Sequence, residues 1–324
     1  MSMLESAVSC SAVYTNSMIN RRSLAKIAAG ALSALALAAT LSAPASAYEP
    51  APEGPAGLTC NADMKRGDPE FPGLLRGVQY AYWPGSNEGG PGVDAFVNLN
   101  PVHHTNLGFN PKALVEKNGY DSLLYATNPD GTLYVVDGYE STVVNNTWAG
   151  IRTMTDVVVT DKYDSATGVT YTYAITDQGA LYRYTQSQAT ANMFGRVQVS
   201  PRGWWPLKGF SYWMTKTLSN GDQADIFLSN ASDGRLLEYT IPRATPTNWS
   251  SKVVRSSTWQ NFVSFSVGNC TDANGNRTRT APLLATTKAG DVWLYYVSKS
   301  TPDALPAVTN GTRIATGFTN SYNG

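Results

Sequence analysis

The side chains that most often carry out catalysis are scarce in this sequence. The chain has two histidines, His103 and His104, and they are adjacent. Neighbouring residues on an extended strand point to opposite sides, so the pair cannot easily serve one site. No Gly-x-Ser-x-Gly sequence is present to place a serine nucleophile on a sharp turn. These observations argue against a serine hydrolase, and we assign no catalytic residue.

Metal and nucleotide sites are not indicated either. A zinc site needs several His or Cys ligands at short spacing, whereas Cys60 and Cys270 lie far apart. The glycine-rich residues 85–92 open no helix, so they match neither a phosphate-binding loop nor a dinucleotide fingerprint. Carboxylates such as Asp156 and Asp161 are too common in loops to indicate glycosidase chemistry without geometry. We therefore expect a non-catalytic protein that uses no metal and no cofactor.

Aromatic side chains, 11% of the residues, are the best candidates for binding chemistry. Trp and Tyr suit sugars because each offers a flat apolar face with a hydrogen-bond donor at one edge. Trp148, Trp205 and Trp249 lie beside polar loop sequences. Each of these three either lines a ligand or partner surface or packs inside the protein.

Four hairpin-like segments repeat along the chain, and this repeat decides the fold prediction. They cover residues 123–134, 171–184, 226–239 and 282–296. Each has a strand, a tight turn that ends in glycine, and a second strand rich in apolar and aromatic residues. Glycine suits the turn because the position needs a positive φ, which costs other residues free energy. The turn glycines at 131, 179, 234 and 290 are spaced by 48, 55 and 56 residues. Such a period holds about four strands, the content of one propeller blade.

Tryptophans provide a second marker with the same phase. Trp204 follows Gly179 by 25 residues, and Trp259 follows Gly234 by 25 residues. We expect these two rings, and that of Trp293, either to wedge adjacent blades together or to contact a ligand. Trp204 and Trp259 therefore join Trp148, Trp205 and Trp249 as candidate ligand-binding residues.

The region before these repeats contains a strand pair of its own, at residues 78–83 and 93–99, joined by a glycine-rich loop. It is either a degenerate fifth blade or a separate addition to a four-bladed ring. Residues 111–119 could form about two helical turns, with Pro at the start and Gly past the end. The sequence thus predicts an all-β fold, a β-propeller of five blades with an extended N-terminal arm.

The repeats resemble those of the tachylectin-type propeller lectins, in which each blade carries a D-G-x-L-x-x-Y hairpin and then a G-W-x-x-F segment. The resemblance covers residues 121–324, and residues 130–134 and 203–210 match best. The first clear repeat lacks the Gly-Trp pair and has Trp148 earlier, and the fourth has Lys-Ala-Gly in its turn. The resemblance implies a five-bladed ring that binds amino sugars in clefts between adjacent blades. Secreted actinobacterial toxin particles that combine propeller lectins with adaptor subunits are one setting that it suggests.

The N-terminal sequence is typical of an export signal. Three cations precede an apolar run over residues 27–41, which is too short to span a bilayer. An Ala-x-Ala cleavage site follows at residues 45–47. We predict a cleavable signal peptide over residues 1–47, with Met18 as an alternative start, and hence a secreted protein. The paired arginines leave the twin-arginine route open beside the general one.

Cysteine content and net charge limit the kinds of partner that we expect for the protein. Cleavage leaves Cys60 and Cys270, and an oxidising compartment favours a disulfide, within the chain or to another chain. The whole chain has 24 Lys and Arg against 24 Asp and Glu, and the leader removes three cations and one anion. Without a basic surplus we expect no nucleic-acid partner. Without a second long apolar run we expect no membrane span.

The segment before the propeller, residues 48–75, is rich in Pro and Gly and is predicted to be an extended arm without its own core. Its apolar residues Leu58, Cys60, Phe71 and Leu74 could anchor it in a partner protein. Residues 76–324 would form the propeller.

The predicted function is recognition of glycans, amino sugars above all. The alternatives are an adaptor for other secreted proteins, with the arm docked into a partner, and a structural coat protein of a spore or cell wall.

Overall fold

The computed structural model describes residues 48–68, 73–86, 94–103, 107–116, 123–137, 140–145, 147–157, 169–187, 193–204 and 206–322. The predicted signal peptide lies outside these residues. All the described residues belong to one compact unit. Within them, no helix is long and apolar enough to cross a membrane.

The described part of the chain is almost entirely β-strand, with one short 3-10 helix, Pro246–Asn248. The strands are β1 (Tyr48–Pro50), β2 (Thr59–Gly67), β3 (Leu75–Tyr82), β4 (Ala95–His103), β5 (Ala113–Glu116), β6 (Leu123–Thr127), β7 (Leu133–Asp137), β8 (Glu140–Asn145), β9 (Ile151–Asp156), β10 (Val169–Thr176), β11 (Leu181–Ser187), β12 (Met193–Ser200), β13 (Leu207–Thr217), β14 (Gln223–Ala231), β15 (Leu236–Pro242), β16 (Ser250–Arg255), β17 (Phe262–Val267), β18 (Asn269–Thr271), β19 (Thr280–Thr287), β20 (Val292–Ser298), β21 (Ala307–Val308) and β22 (Thr312–Ala315).

These strands form five small antiparallel sheets, the blades of a five-bladed β-propeller. Blade 2 is β5 to β8, blade 3 is β9 to β12, and blade 4 is β13 to β16, each in chain order. Blade 5 has the order β17-β19-β20, and β21 and β22 both pair with the outer edge of β20. Blade 1 has the order β1-β4-β3-β2-β18. The N-terminal strand pair is therefore a fifth blade, as predicted, and not an addition to a four-bladed ring.

Five apolar clusters hold the blades together, one between each pair of neighbouring sheets. Side chains alternate between the two faces of a strand, so each sheet presents one apolar set to the blade before it and another to the blade after it. On β20, for example, Val292 and Leu294 pack towards blade 1, while Trp293 and Tyr295 pack towards blade 4. The cluster between blades 5 and 1 closes the ring.

The predicted hairpin turns are present, and their glycines make the same contact in each repeat. Gly131, Gly179, Gly234 and Gly290 all have positive φ, between 75° and 94°. The carbonyl of each accepts a backbone hydrogen bond from an aromatic residue that leads into the following inner strand or ends the ring. These donors are Trp148, Trp204, Trp259 and Phe318, at 2.8–3.0 Å. The turn of one blade is thereby hydrogen-bonded to the aromatic residue that follows it. Where that residue starts the next blade, we call it the corner of that blade.

Blade 1 is built differently from the other four. Its strand β2 is covered by β18, a short strand that follows β17 in the chain and pairs antiparallel with the first three residues of β2. The other end of β2 pairs with the C-terminal tail, where Arg66 and Ser321 form an antiparallel bridge and the Tyr322 N–H donates to the Lys65 carbonyl at 2.9 Å. Two separate short segments therefore cover the inner edge of β2 at its two ends.

A disulfide joins Cys60 on β2 to Cys270 on β18, and the two residues lie directly opposite each other in the ladder. The bridge therefore ties β2 to the short chain segment that connects strands β17 and β19 of blade 5, and it spans a sequence separation of 210 residues. A loop of this length gives the disulfide about 5 kcal/mol of stabilisation in the chain-entropy model.

The segment predicted as an arm is extended, but its described residues are part of blade 1. β1 pairs with β4, and β2 is the inner strand of the sheet. Cys60, Ala62 and Met64 alternate along β2 and are buried against blade 5. The segment has few large aliphatic residues because these small side chains face a closely packed neighbour, so composition alone concealed a core strand.

The expected helix within residues 111–119 is wrong where the structure describes it. Ala113–Glu116 is the inner strand of blade 2, and Ala113 pairs with Thr127 on β6. Ala113, Leu114 and Val115 are all buried. Pairing with a complete neighbouring hairpin outweighs the weak local preference of four residues for a helix.

Reduction of the disulfide should loosen the ring closure. We expect the free energy of unfolding in urea to fall by several kcal/mol, up to about 5, when the oxidised protein is treated with dithiothreitol. The double variant Cys60→Ser with Cys270→Ser is the control, because its unfolding curve should not respond to reductant. Equal stability of the oxidised and reduced wild-type protein would contradict this role.

Two glycines with similar φ should differ sharply in their tolerance of a side chain. A Cβ on Gly131 would lie 2.2 Å from the backbone nitrogen of Ala149, whereas a Cβ on Gly275 would meet nothing within 4 Å. Both positions are left-handed, so Gly→Ala costs about 1–2 kcal/mol at either one, and the clash adds about 1–3 kcal/mol at Gly131 alone. Thermal unfolding of the two variants would test this, and equal losses would contradict the close approach at the corner.

Candidate functional site

Three predicted candidates, Trp148, Trp204 and Trp259, occupy equivalent corners at the start of blades 3, 4 and 5. Their side chains are 1%, 1% and 4% exposed. Each backbone N–H is held by a turn glycine of the preceding blade, and each carbonyl accepts from the residue three positions later. Trp204 and Trp259 thus act as wedges between blades. Of the two alternatives left open for Trp148, the structure shows the internal one, because the nearby polar loop sequence does not carry its ring to the surface.

Each corner tryptophan packs against a tyrosine of the blade that it starts. The ring centroids of Trp148 and Tyr184 are 4.1 Å apart in a stacked arrangement. The Trp204–Tyr239 and Trp259–Tyr295 pairs are tilted, with centroids 4.5 and 4.7 Å apart. The sequence analysis did not identify these tyrosines as candidates. The signal was available, since each lies five residues after a turn glycine.

Trp249 is the described candidate that remains half-buried, at the border of blades 3 and 4. Its ring lies edge-on to Trp204, with centroids 5.3 Å apart, and tilted towards Tyr239 at 5.9 Å. The buried rings therefore hold Trp249 in one orientation while part of it meets solvent. Trp205 lies outside the described residues.

Every cleft between neighbouring blades contains at least one half-buried aromatic ring, and we choose four of these rings, one for each cleft from blade 1 to blade 5, as candidate binding residues. These rings are Tyr134 between blades 1 and 2, Tyr182 between blades 2 and 3, Trp249 between blades 3 and 4, and Trp293 between blades 4 and 5. Three of them lie three residues after a turn glycine, on the face turned towards the preceding blade. Blade 4 has the buried Leu237 at that position, and Trp249 provides the ring instead.

Polar groups lie beside these rings. The Arg196 guanidinium lies over the ring of Tyr182, with its carbon 3.8 Å from the centroid, and Gln198 donates to the Tyr182 hydroxyl at 3.0 Å. Burial raises the pKa of Tyr239 to about 12, and it also raises the pKa of Tyr184 and Tyr295. These hydroxyls stay protonated at neutral pH. The cleft at Tyr182 thus combines a flat apolar face with a cationic and an amide hydrogen-bond donor.

The residues predicted to anchor the arm in a partner have other contacts. Leu58 packs on the apolar cluster between blades 1 and 5, and Cys60 is in the disulfide. Leu74 is half-buried, and its carbonyl accepts from the Asp68 N–H at 2.8 Å. Phe71 lies outside the described residues. Leu58 and Cys60 are thereby committed to the ring itself.

A cavity of about 650 Å³ lies at the end of the ring axis where the inner strands of blades 2 to 5 begin and β2 ends. Its lining comes from all five blades and the tail: Gly67, Asp68, Asn110, Pro111, Lys112, Ala113, Leu114, Arg152, Thr153, Leu207, Lys208, Val263, Asn320, Ser321 and Tyr322. Among the described residues, no group of three or more His, Cys, Asp or Glu side chains could hold a metal ion. His103 ends β4, and His104 lies outside the described residues.

Three cations in this cavity come from three consecutive blades. Lys112 forms an ion pair with Asp177 of blade 3 at 2.5 Å. Arg152 donates to the Trp204 carbonyl at 2.9 Å, and Lys208 donates to the Gln260 carbonyl at 3.2 Å. Each cation therefore reaches from the start of one inner strand to the turn or corner of the next blade.

Three solved structures resemble this one. The structure is similar to a triple arginine-to-alanine mutant of AofleA from Arthrobotrys oligospora, with 12% identity and a TM-score of 0.44, over 80% of this chain and 73% of that chain. It is also similar to the SapL1 lectin in complex with alpha methyl fucoside, with 9% identity and a TM-score of 0.42, over 80% and 84%. The WD40 domain of SCAP from fission yeast is similar with 8% identity and a TM-score of 0.32, over 83% of this chain and 78% of that chain. No family model matches the chain, and neither does any curated protein. Likenesses of this size say nothing about what this chain binds.

Replacement of a corner tryptophan should cost much more stability than replacement of Trp249. Trp259→Ala removes a ring that is 4% exposed and in contact with Phe262, Phe265 and Tyr295, so we expect a loss of about 3–5 kcal/mol. Trp249→Ala should cost less, because part of that ring is already in water. Urea unfolding of both variants measures the difference, and equal losses would contradict the division into wedges and surface rings.

Proposed function

We propose that this protein is a secreted, non-catalytic carbohydrate-binding protein that takes sugars in the clefts between its blades. One observation supports this above the others: each cleft between neighbouring blades keeps at least one aromatic ring partly in solvent. An isolated exposed ring is common on protein surfaces, but a ring in each successive cleft is a repeated arrangement. Sugars suit such sites because their apolar ring face can lie on an aromatic face.

Contacts with neighbouring side chains hold two of the cleft rings in place, and a ring that is already held in place favours binding of a weak ligand. Trp249 is fixed by Trp204 and Tyr239, and Tyr182 is covered on one side by Arg196. A ring that is already ordered loses little conformational entropy when a ligand binds. The Arg196 and Gln198 side chains beside Tyr182 can then bond to sugar hydroxyl or acetamido oxygens.

Several such sites on one ring would act together. A single exposed site of this kind binds weakly, but a glycan surface that engages two or more sites at once gains avidity of about 10² to 10⁴. We therefore propose that repeated sugars on a cell wall or on a cell surface are the ligand, and the resemblance to tachylectin-type repeats favours amino sugars.

Secretion forms part of the proposal. It is supported by the leader sequence of residues 1–47 and by the disulfide, since an oxidising compartment would preserve it. The disulfide also gives a reason for export in terms of the fold, because it fastens the one blade whose inner edge has no full strand. The adaptor alternative finds less support, since Leu58 and Cys60 are used within blade 1.

A glycan array with the chain from Tyr48 onward tests the proposal. We expect binding to a subset of glycans that is much stronger on dense surfaces than in solution. Trp249→Ala and Trp293→Ala should each weaken binding about two- to tenfold, since aromatic contacts of this kind contribute about 0.5–1.5 kcal/mol.

Phe194→Ala is the matched control. Phe194 is 55% exposed on the outer strand β12, so its removal takes away an exposed aromatic ring without touching the four cleft rings. Its binding should equal that of the wild-type protein. Absence of binding to any glycan at millimolar concentrations would refute carbohydrate recognition, and unchanged binding by both cleft variants would refute the proposed sites.

A further inference from the structure

Part of the chain itself lies in the cleft between blades 5 and 1. Residues 51–58, the proline-rich segment between β1 and β2, pack against tyrosines of both blades. We propose that this cleft is a recognition site for a proline-rich peptide of the form Pro-x-Gly-Pro, and that residues 52–55 are its ligand within the chain. The proposal does not rest on the binding of sugars, because it concerns a cleft outside the four chosen for sugars and a different class of ligand.

Tyrosines from two blades form the walls of this cleft. Tyr80 lies on β3 of blade 1, and Tyr296 lies on β20 of blade 5. Their rings meet edge to face, with centroids 6.3 Å apart, and their hydroxyl oxygens are 2.5 Å apart. The Tyr80 hydroxyl donates to the Pro52 carbonyl at 2.8 Å. Aromatic faces with a donor directed at a backbone carbonyl are the features by which grooves bind proline-rich peptides.

The two hydroxyls have fixed roles. Because Tyr80 has one hydroxyl proton and gives it to Pro52, Tyr296 is the donor in the bond between the two tyrosines. Burial raises the pKa of Tyr80 to about 12, and it also raises the pKa of Tyr296. Both hydroxyls therefore stay protonated at neutral pH, and the donor to the peptide carbonyl is always present.

Close approach of the backbone makes the site selective for glycine at one position. A Cβ on Gly54 would lie 2.2 Å from Cδ1 of Tyr82 and 2.7 Å from the Tyr296 hydroxyl oxygen. The φ of Gly54 is outside the left-handed range, so a side chain is excluded by the two tyrosines and not by the backbone conformation. A ligand of this cleft therefore needs glycine two residues after the proline whose carbonyl is bound.

The prolines order the segment before it binds. Pro52 and Pro55 each fix their own φ near about −65° and favour an extended conformation in the residue before them. A segment of this kind loses little conformational entropy when it enters a groove. Both prolines are half-buried, whereas Glu53 is exposed. The proposed motif therefore specifies the prolines and the glycine and leaves the second position open.

Contacts outside the cleft hold the segment at both ends. Before it, β1 pairs with β4, and the Ala51 N–H donates to the Ala95 carbonyl at 3.1 Å. After it, the disulfide holds Cys60. Residues 52–55 can therefore leave the cleft while the strands on either side stay paired. Because a tethered ligand has an effective concentration of about millimolar, a separate peptide competes well only when the internal segment is weakened.

Fluorescence polarisation with a fluorescein-labelled peptide of residues 48–58 tests the site. In the chain from Tyr48 onward, Gly54→Val should displace the internal segment, and we expect this variant to bind the peptide about tenfold or more tightly than the wild-type chain does. Gly54→Val in the peptide should abolish binding. Tyr80→Phe, added to Gly54→Val in the chain, should weaken binding about two- to tenfold, the effect of one neutral hydrogen bond.

Ala56→Val in the chain is the matched control, since Ala56 is exposed in the same segment. This variant should bind the peptide no better than the wild-type chain does. Thermal unfolding checks that each variant is folded. No binding of the peptide to a folded Gly54→Val chain at millimolar concentrations would overturn the proposal. Equal binding of the peptide that carries Gly54→Val, or equal binding by the wild-type chain, would also overturn it.

A measurement on the unaltered chain decides the question if Gly54→Val does not fold. A glutamyl endopeptidase cuts after Glu53, which lies in the bound segment. Unlabelled peptide at millimolar concentration should speed this cut, because it displaces the segment from the cleft. The peptide that carries Gly54→Val has the same glutamates and should not speed it. Equal rates with the two peptides would refute the site.

Discussion

The whole structure depends on burial of the faces that the sheets present to one another. A four-stranded sheet with two apolar faces is not stable alone, and here the neighbouring sheets supply the cover. The repeated contact is small: a turn glycine accepts one hydrogen bond from a corner aromatic residue, whose ring then packs on a tyrosine such as Tyr184 or Tyr239. Because each blade covers two others, loss of one interface exposes two apolar faces, so stability should be shared around the ring.

This constraint explains the construction of blade 1. In blades 2 to 5 the first strand of the sheet lines the axis, but the inner strand of blade 1 runs the other way, and its edge is covered by β18 and by the tail. These two pieces supply fewer backbone hydrogen bonds than a full strand would. The disulfide is placed at one of them, and the Ser264 and Ser321 hydroxyls meet near the other. Covalent and side-chain contacts thus replace a strand where the ladder is shortest.

Most of the fold prediction came from the conformational needs of single residues and from the spacing between them. The turn glycines could be recognised because a positive φ is a property of one residue, and Trp204 and Trp259 could be recognised because they keep a fixed distance from those turns. Blade 1 could be seen only in part, since Cys60, Ala62 and Met64 look like a linker until blade 5 is packed against them. The cations of the cavity could not be found from the sequence, because Arg152 and Lys208 become neighbours only when the inner strands are arranged around an axis.

The aromatic rings that recur most regularly along the sequence are also the most deeply buried, so they are the least able to bind a ligand. Trp148, Trp204 and Trp259 recur because blades 3, 4 and 5 each begin with the same wedge, and a wedge must be buried. Rings that remain partly in solvent are free of that requirement, and they accordingly differ from cleft to cleft: two are tyrosines and two are tryptophans, and one of them, Trp249, comes from a different strand connection. Each cleft therefore offers its own shape and its own polar neighbours, and Arg196 accompanies only Tyr182 in the described contacts. Under the proposed function, these unlike clefts would bind the same repeated sugar with different affinities.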